Sequence, residues 1–122
     1  EVLAFGMTQL EKVSVQIRGI RRSLTDLREI EVDTLQYPKI ERILTALETA
    51  AVCIDHFGEM VIHASTEREE RQKTYIQRAQ TAQLACLDEM LQAGSPPVLR
   101  EIGSILTDLN RILIEVSSER MT

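Results

Sequence analysis

The sequence predicts an all-α protein, an antiparallel up-and-down bundle of four helices forming a single domain over residues 1–122. Three observations predict it. Apolar residues recur at steps of three and four along most of the chain, the pattern that lays one stripe along a helix. Interruptions at Pro38, at Ser65 and Thr66, and at Gly94 to Pro96 divide that pattern into four segments of similar length, and amphipathic helices joined by short connections describe a bundle. The interior must be aliphatic, because 43% of residues are hydrophobic while only 3% are aromatic and none is Trp. A chain of 122 residues is long enough for one real core, hiding roughly two thirds of its unfolded surface.

The first helix, at about 2–29, carries its stripe at Leu3, Met7, Leu10, Val13, Ile17, Ile20, Leu24 and Leu27, with Lys12, Arg18, Arg22 and Arg28 as solvated charges opposite. A mixed, acidic stretch from Glu29 to Tyr37 ends at Pro38, which discourages helix in the residue before it and suits a first helical turn. The second helix, at about 38–64, runs through Ile40, Ile43, Leu44, Leu47, Ala50, Ala51, Ile54, Phe57, Gly58, Val61 and Ala64, close to a seven-residue repeat. Ala50, Ala51 and Gly58 predict close approach of a neighbouring helix, which would justify a glycine that costs about 1 kcal/mol in an exposed helix interior. The third helix, at about 66–92, starts where Thr66 and Glu69 have the spacing of a capping box; one continuous helix through this point is the alternative. Its charged start, Glu67 to Lys73, leads to Tyr75, Ile76, Ala79, Ala82, Gln83, Cys86, Met90 and Leu91 on one side. Gly94 marks a helix end, and Ser95 before Pro96 gives a cap and a first-turn proline. The fourth helix, at about 96–119, buries Val98, Leu99, Ile102, Ile105, Leu106, Leu109, Ile112, Leu113 and Val116.

A formal charge of −5 and a pI near 5.1, without a basic stripe or stacking aromatics, argue against nucleic-acid binding. Cys53 and Cys86 lie inside periodic apolar segments and read as buried thiols of a reducing, cytoplasmic compartment. The richest apolar run, Thr49 to Ile54, stops at Asp55, well short of a membrane span. The chain opens at Glu1 without an initiator Met or a basic-then-apolar leader, as expected of an excised domain or a processed chain. Neither a phosphate-binding glycine loop, a paired-cysteine motif, a nucleophile elbow nor a zinc-protease helix occurs, so no enzyme activity is expected.

Potential ligands concentrate on the second helix at Asp55, His56, Glu59 and His63, which include both histidines of the chain. At about 100° per residue, His56, Glu59 and His63 fall in a stripe opposite Ile54, Phe57 and Val61, with Asp55 flanking it. Imidazole and carboxylate at these spacings suit iron or zinc if a facing helix contributes; the alternative is a solvated face with an i, i+4 carboxylate pair. The same helix carries Val52, Cys53, Met60 and Ile62 outside its core stripe, which predicts either a protein or homodimer contact or burial within the fold. The cluster from Glu67 to Arg71 reads as a self-paired, solvated turn.

The segment from Leu47 to Ile62 resembles the signature helix of PhoU-like domains, in which an apolar stretch leads to an acidic residue, two further residues, a glycine and a second acidic residue. Asp55-His56-Phe57-Gly58-Glu59 matches in type and spacing, with Asp and Glu exchanged relative to the common order. Within that resemblance the closer likeness is to the soluble PhoU-like region that follows the membrane part of bacterial sodium/phosphate cotransporter-family proteins. Helices like Ile17 to Leu27, Tyr75 to Leu91 and Val98 to Val116 accompany the signature there, so the resemblance spans most of the chain. It implies a three- or four-helix bundle, a regulatory role in phosphate transport or homeostasis, and a membrane transporter domain as partner. Metal clusters of that family would carry over only to Asp55 and Glu59, and the usual second copy of the motif is missing. A different class of function, a structural adaptor or co-chaperone domain, follows from the likeness of Arg68 to Asp88 to the long charged helix of BAG-type bundles, although the register of the Arg and Gln contact residues departs from that pattern.

Overall fold

The computed structural model describes residues 2–30, 39–93 and 96–117, and these form four helices. They are α1 (Val2–Ile30), α2 (Lys39–Ile62), α3 (Thr66–Ala93) and α4 (Pro96–Glu115). The connection through Pro38 and the cap at Gly94 and Ser95 lie outside the described residues. None of the described helices is long and apolar enough to cross a membrane.

The helices are unequal partners. α1 packs chiefly on α4, and α2 chiefly on α3, while α4 also meets α2 and α3. The sequence explains why α4 is the shared element. Its apolar positions repeat without a polar interruption, and Val98, Ile102, Ile105, Leu109, Ile112 and Leu113 are all buried. Each such side chain contributes roughly 1.5–3 kcal/mol when fully removed from water. Two prolines open α4 where their missing N–H groups cost nothing. The helix ends at Glu115 rather than near 119, with Val116 in a turn whose N–H still donates to the Ile112 carbonyl at 3.0 Å.

Contacts run in opposite order along each tight pair. The Gln9 amide donates to the Glu115 carboxylate and, at 3.3 Å, to its carbonyl, while Gly19 lies against Asp108 further along. On the other pair, Gln72 reaches Cys53 near the connecting turn, and Arg42 meets Glu89 at 3.0 Å towards the far end.

α2 and α3 are separate helices, broken at residues 63–65. The cap is Ser65 and not Thr66: its Oγ accepts the Arg68 N–H at 3.2 Å, and its carbonyl accepts the Glu69 N–H at 2.9 Å. A hydroxyl in that position satisfies an orphan donor of the first turn and is worth about 1 kcal/mol. The Arg68 guanidinium reaches back to the His63 carbonyl at 3.0 Å, closing the end of α2 with the start of α3. The rest of the charged cluster pairs along its own helix, Arg71 with Glu67 and Lys73 with Glu70.

Several stripe assignments are corrected, among them Leu44, Ala51 and Ala64 of the second stripe and Leu91 of the third, which are exposed. On α1 the buried positions are Gly6, Gln9, Val13, Ile20, Ser23 and Leu27, whereas Leu3, Met7 and Ile17 are exposed. The close contact of Gly6 with Val61 and the bond from Gln9 to Glu115 turn the first two turns away from the heptad stripe. Gly58 does not admit a neighbour either, since a Cβ built there would meet nothing within 4 Å.

Candidate functional site

The residues singled out on α2 divide into an inward and an outward group. Asp55, Glu59 and His63 are exposed, but His56 is buried, and so are Cys53 and Met60. The expectation that His56 shares the outer stripe is therefore wrong, and for Cys53 and Met60 the alternative of burial within the fold holds in place of an interface. α2 is covered by α3 on one side and meets α4 and α1 on others, which widens its buried sector well beyond one heptad stripe. Val52 and Ile62, the remaining interface candidates, are 45% and 71% exposed.

Inward, the site is a hydrogen-bonded junction centred on Gln72 of α3, which is completely buried. Its amide nitrogen donates to the Cys53 carbonyl at 2.9 Å and to the Val116 carbonyl at 2.8 Å. Both amide hydrogens are thereby used, so Oε1 accepts, and the 3.0 Å contact with His56 Nδ1 assigns the hydrogen to Nδ1. His56 Nε2 is then a buried acceptor with no partner among the described residues. The imidazole meets the Tyr75 ring edge to face, with centroids 5.2 Å apart. Gln72 stands seven residues before Ala79 and fourteen before Cys86, both buried, and that register was the signal in the sequence for a polar side chain inside.

The neighbouring thiols are held protonated. Burial pushes Cys53 up to about 11, against a small opposing effect of a backbone hydrogen bond. Burial also raises Cys86, and the Glu89 carboxylate adds to this while Arg42 opposes it. Both cysteines are free.

Outward, Asp55 and Glu59 stand one turn apart on the surface of α2. Among the described residues no three His, Cys, Asp or Glu side chains gather to hold a metal ion. With His56 turned inside and held by Gln72, the residues present do not fit the iron or zinc site. Three grooves lie elsewhere: between α2 and α3 by Arg42 and Glu89, between α1 and α4 by Arg22 and Asp108, and a smaller apolar one of about 330 Å³ between α3 and α4 by Leu84, Leu87 and Leu106.

Compared with protein-family models, with characterised proteins and with solved structures, the chain matches none.

Proposed function

We propose that this chain is a non-enzymatic regulatory bundle of PhoU-like type, folded as an antiparallel up-and-down bundle and acting by protein contact in phosphate transport or homeostasis. The observation that carries the contact role is the outer surface of α2, where Val52, Asp55, Glu59 and Ile62 are all exposed and none lines any of these three grooves. Apolar side chains interleaved with carboxylates on an open helix face suit a protein surface better than a small ligand, which needs a concave pocket. The opposed order of contacts in α1 with α4 and in α2 with α3 supports the topology. The phosphate reading rests on the resemblance of the segment from Leu47 to Ile62, whose two acidic residues stand on that same surface.

The test is a phosphate response in cells lacking the protein. Phosphate uptake or a phosphate-starvation reporter is expected to change on its loss and to be restored by the intact chain but not by Asp55→Lys/Glu59→Lys. A response indifferent to the protein would favour the adaptor reading. Circular dichroism of the variant, expected to be unchanged because both positions are exposed, guards against unfolding.

A further inference from the structure

The outer faces of α1 and α2 carry opposite charge, each interleaved with exposed apolar side chains. On α1 the exposed positions include Arg18, Arg21 and Arg22 together with Met7 and Ile17, which are 57% and 39% exposed. On α2 they include Glu41, Glu48, Asp55 and Glu59 together with Leu44, Val52 and Ile62. Among the described residues none of these three arginines or four carboxylates is in an ion pair, although Lys12, Arg42, Arg71, Lys73, Arg100 and Arg111 all are. Exposed Glu11, Arg78 and Asp88 are likewise in none of these ion pairs, and what sets α1 and α2 apart is that such charges gather by sign, three arginines within five residues of α1 and four carboxylates along α2.

The two helices are neighbours, with Arg18 and Arg22 at the α4 side of α1 and Glu41 at the α3 side of α2. Gly6 of α1 lies against the Val61 side chain of α2, and in an antiparallel pair that contact sets Arg18 level with residue 49 and Ile17 level with residue 50. The arginines thus stand at the height of Glu48, and Ile17 at the height of Ala51. Exposed apolar side chains stand among the charges on both helices, and there is open space at Gly58.

We infer that this surface binds a second copy of the chain, α1 of each protomer lying on α2 of the other about a two-fold axis parallel to the helices. That operation sets residue for residue at equal height, so Arg18, Arg21 and Arg22 meet Glu41 and Glu48 of the partner twice over, and the apolar strips cover one another. An axis perpendicular to the helices in the contact plane would instead set arginine on arginine. An isologous contact requires a surface complementary to itself, and a basic helix beside an acidic one supplies that. Exposed Val52 and Ile62 thereby acquire the intermolecular role that Met60, buried in its own fold, does not have.

This inference rests on the contact role proposed for the outer face of α2, and sedimentation tests it apart from any phosphate response. Two charge reversals are made, Arg18→Glu/Arg22→Glu and Glu41→Arg/Glu48→Arg, all at exposed positions. The intact chain is expected to sediment as a dimer that weakens as salt is raised. Each variant alone is expected to dissociate with a dimer constant weakened about tenfold or more, because like charges then face each other twice. Mixed in equal amounts, the two variants are expected to form a heterodimer, since both contacts are again complementary. An intact chain that is monomeric at low salt, a reversal that leaves the dimer unchanged, or a mixture that stays monomeric overturns the inference. Helix content by circular dichroism confirms that each variant is folded, and if a reversal unfolds, the single changes Arg18→Glu and Glu48→Arg replace it in the same mixing experiment.

Discussion

At Gln72 one side chain joins three helices, because its amide serves carbonyls of α2 and of the turn after α4 from a position on α3. The two bonds differ in weight. The Cys53 carbonyl belongs to a helix interior, where the backbone ladder already supplies a donor. The Val116 carbonyl follows the end of α4, where among the described residues Gln72 is the donor shown to reach it, and Val116 is fully buried. Replacing Gln72 with Leu therefore strands the Val116 oxygen and the His56 Nδ1 hydrogen in the interior. Leaving such groups unsatisfied costs about 1–3 kcal/mol. The expected result for Gln72→Leu is a fall in urea stability of about that size or somewhat more, with the denaturant slope unchanged. A variant as stable as the parent would mean that the junction contributes shape alone. The unpartnered His56 Nε2 predicts the complement, that the imidazole contributes through its other nitrogen.

On the scale of the helix, two glycines that look alike in sequence have opposite roles. A Cβ at Gly6 would fall 2.5 Å from Val61 Cγ2 and 3.2 Å from its Cβ, too close for rotation of a short, branched side chain to relieve. Gly58 faces open space, so only the backbone entropy of glycine remains there. Gly58→Ala is accordingly expected to raise stability by about 0.5–1 kcal/mol, and Gly6→Ala to lower it, in paired thermal melts. A melting temperature that rises in both would show that α1 can move off α2 freely. Gly58→Ala also occupies part of the surface assigned to the second protomer, so these melts belong at dilution where the chain is monomeric.

For the molecule as a whole, what was legible in the sequence follows the number of neighbours each helix has. The stripe of α4 was the most legible, because seven of its nine positions from Val98 to Val116 are buried and the other two, Leu99 and Leu106, are partly so. The break between α2 and α3 was legible in part, since a hydroxyl and a charged run suggested it while one continuous helix stayed open, and the cap is one residue earlier than the expected one. The inward turn of His56 was not legible, and that of Met60 only as one of two alternatives, since a heptad stripe assumes one seam and α2 has several neighbours. Gln72 escaped because it sits within a run of charges, and only its register with Ala79 and Cys86 betrays it. Both thiols belong to this one core, Cys53 from α2 and Cys86 from α3. The ordinary thiol value is 9.0, and Cys53 is raised to about 11. Below 9.0 both folded and unfolded chains hold the proton, and stability is indifferent to it. Between 9.0 and about 11 the unfolded chain has released the Cys53 proton while the folded chain keeps it, so linkage draws the equilibrium towards unfolding. Cys86, raised in the same direction, adds to the slope. Urea midpoints are therefore expected to fall as pH rises through that window, and to fall less in Cys53→Ala/Cys86→Ala, where other alkaline groups still titrate but the thiols do not. Equal slopes in the two proteins would rule the thiols out. In the parent, alkylation at the bottom of the window should follow the rate of global opening, because neither sulfur is reachable while α2 and α3 remain packed.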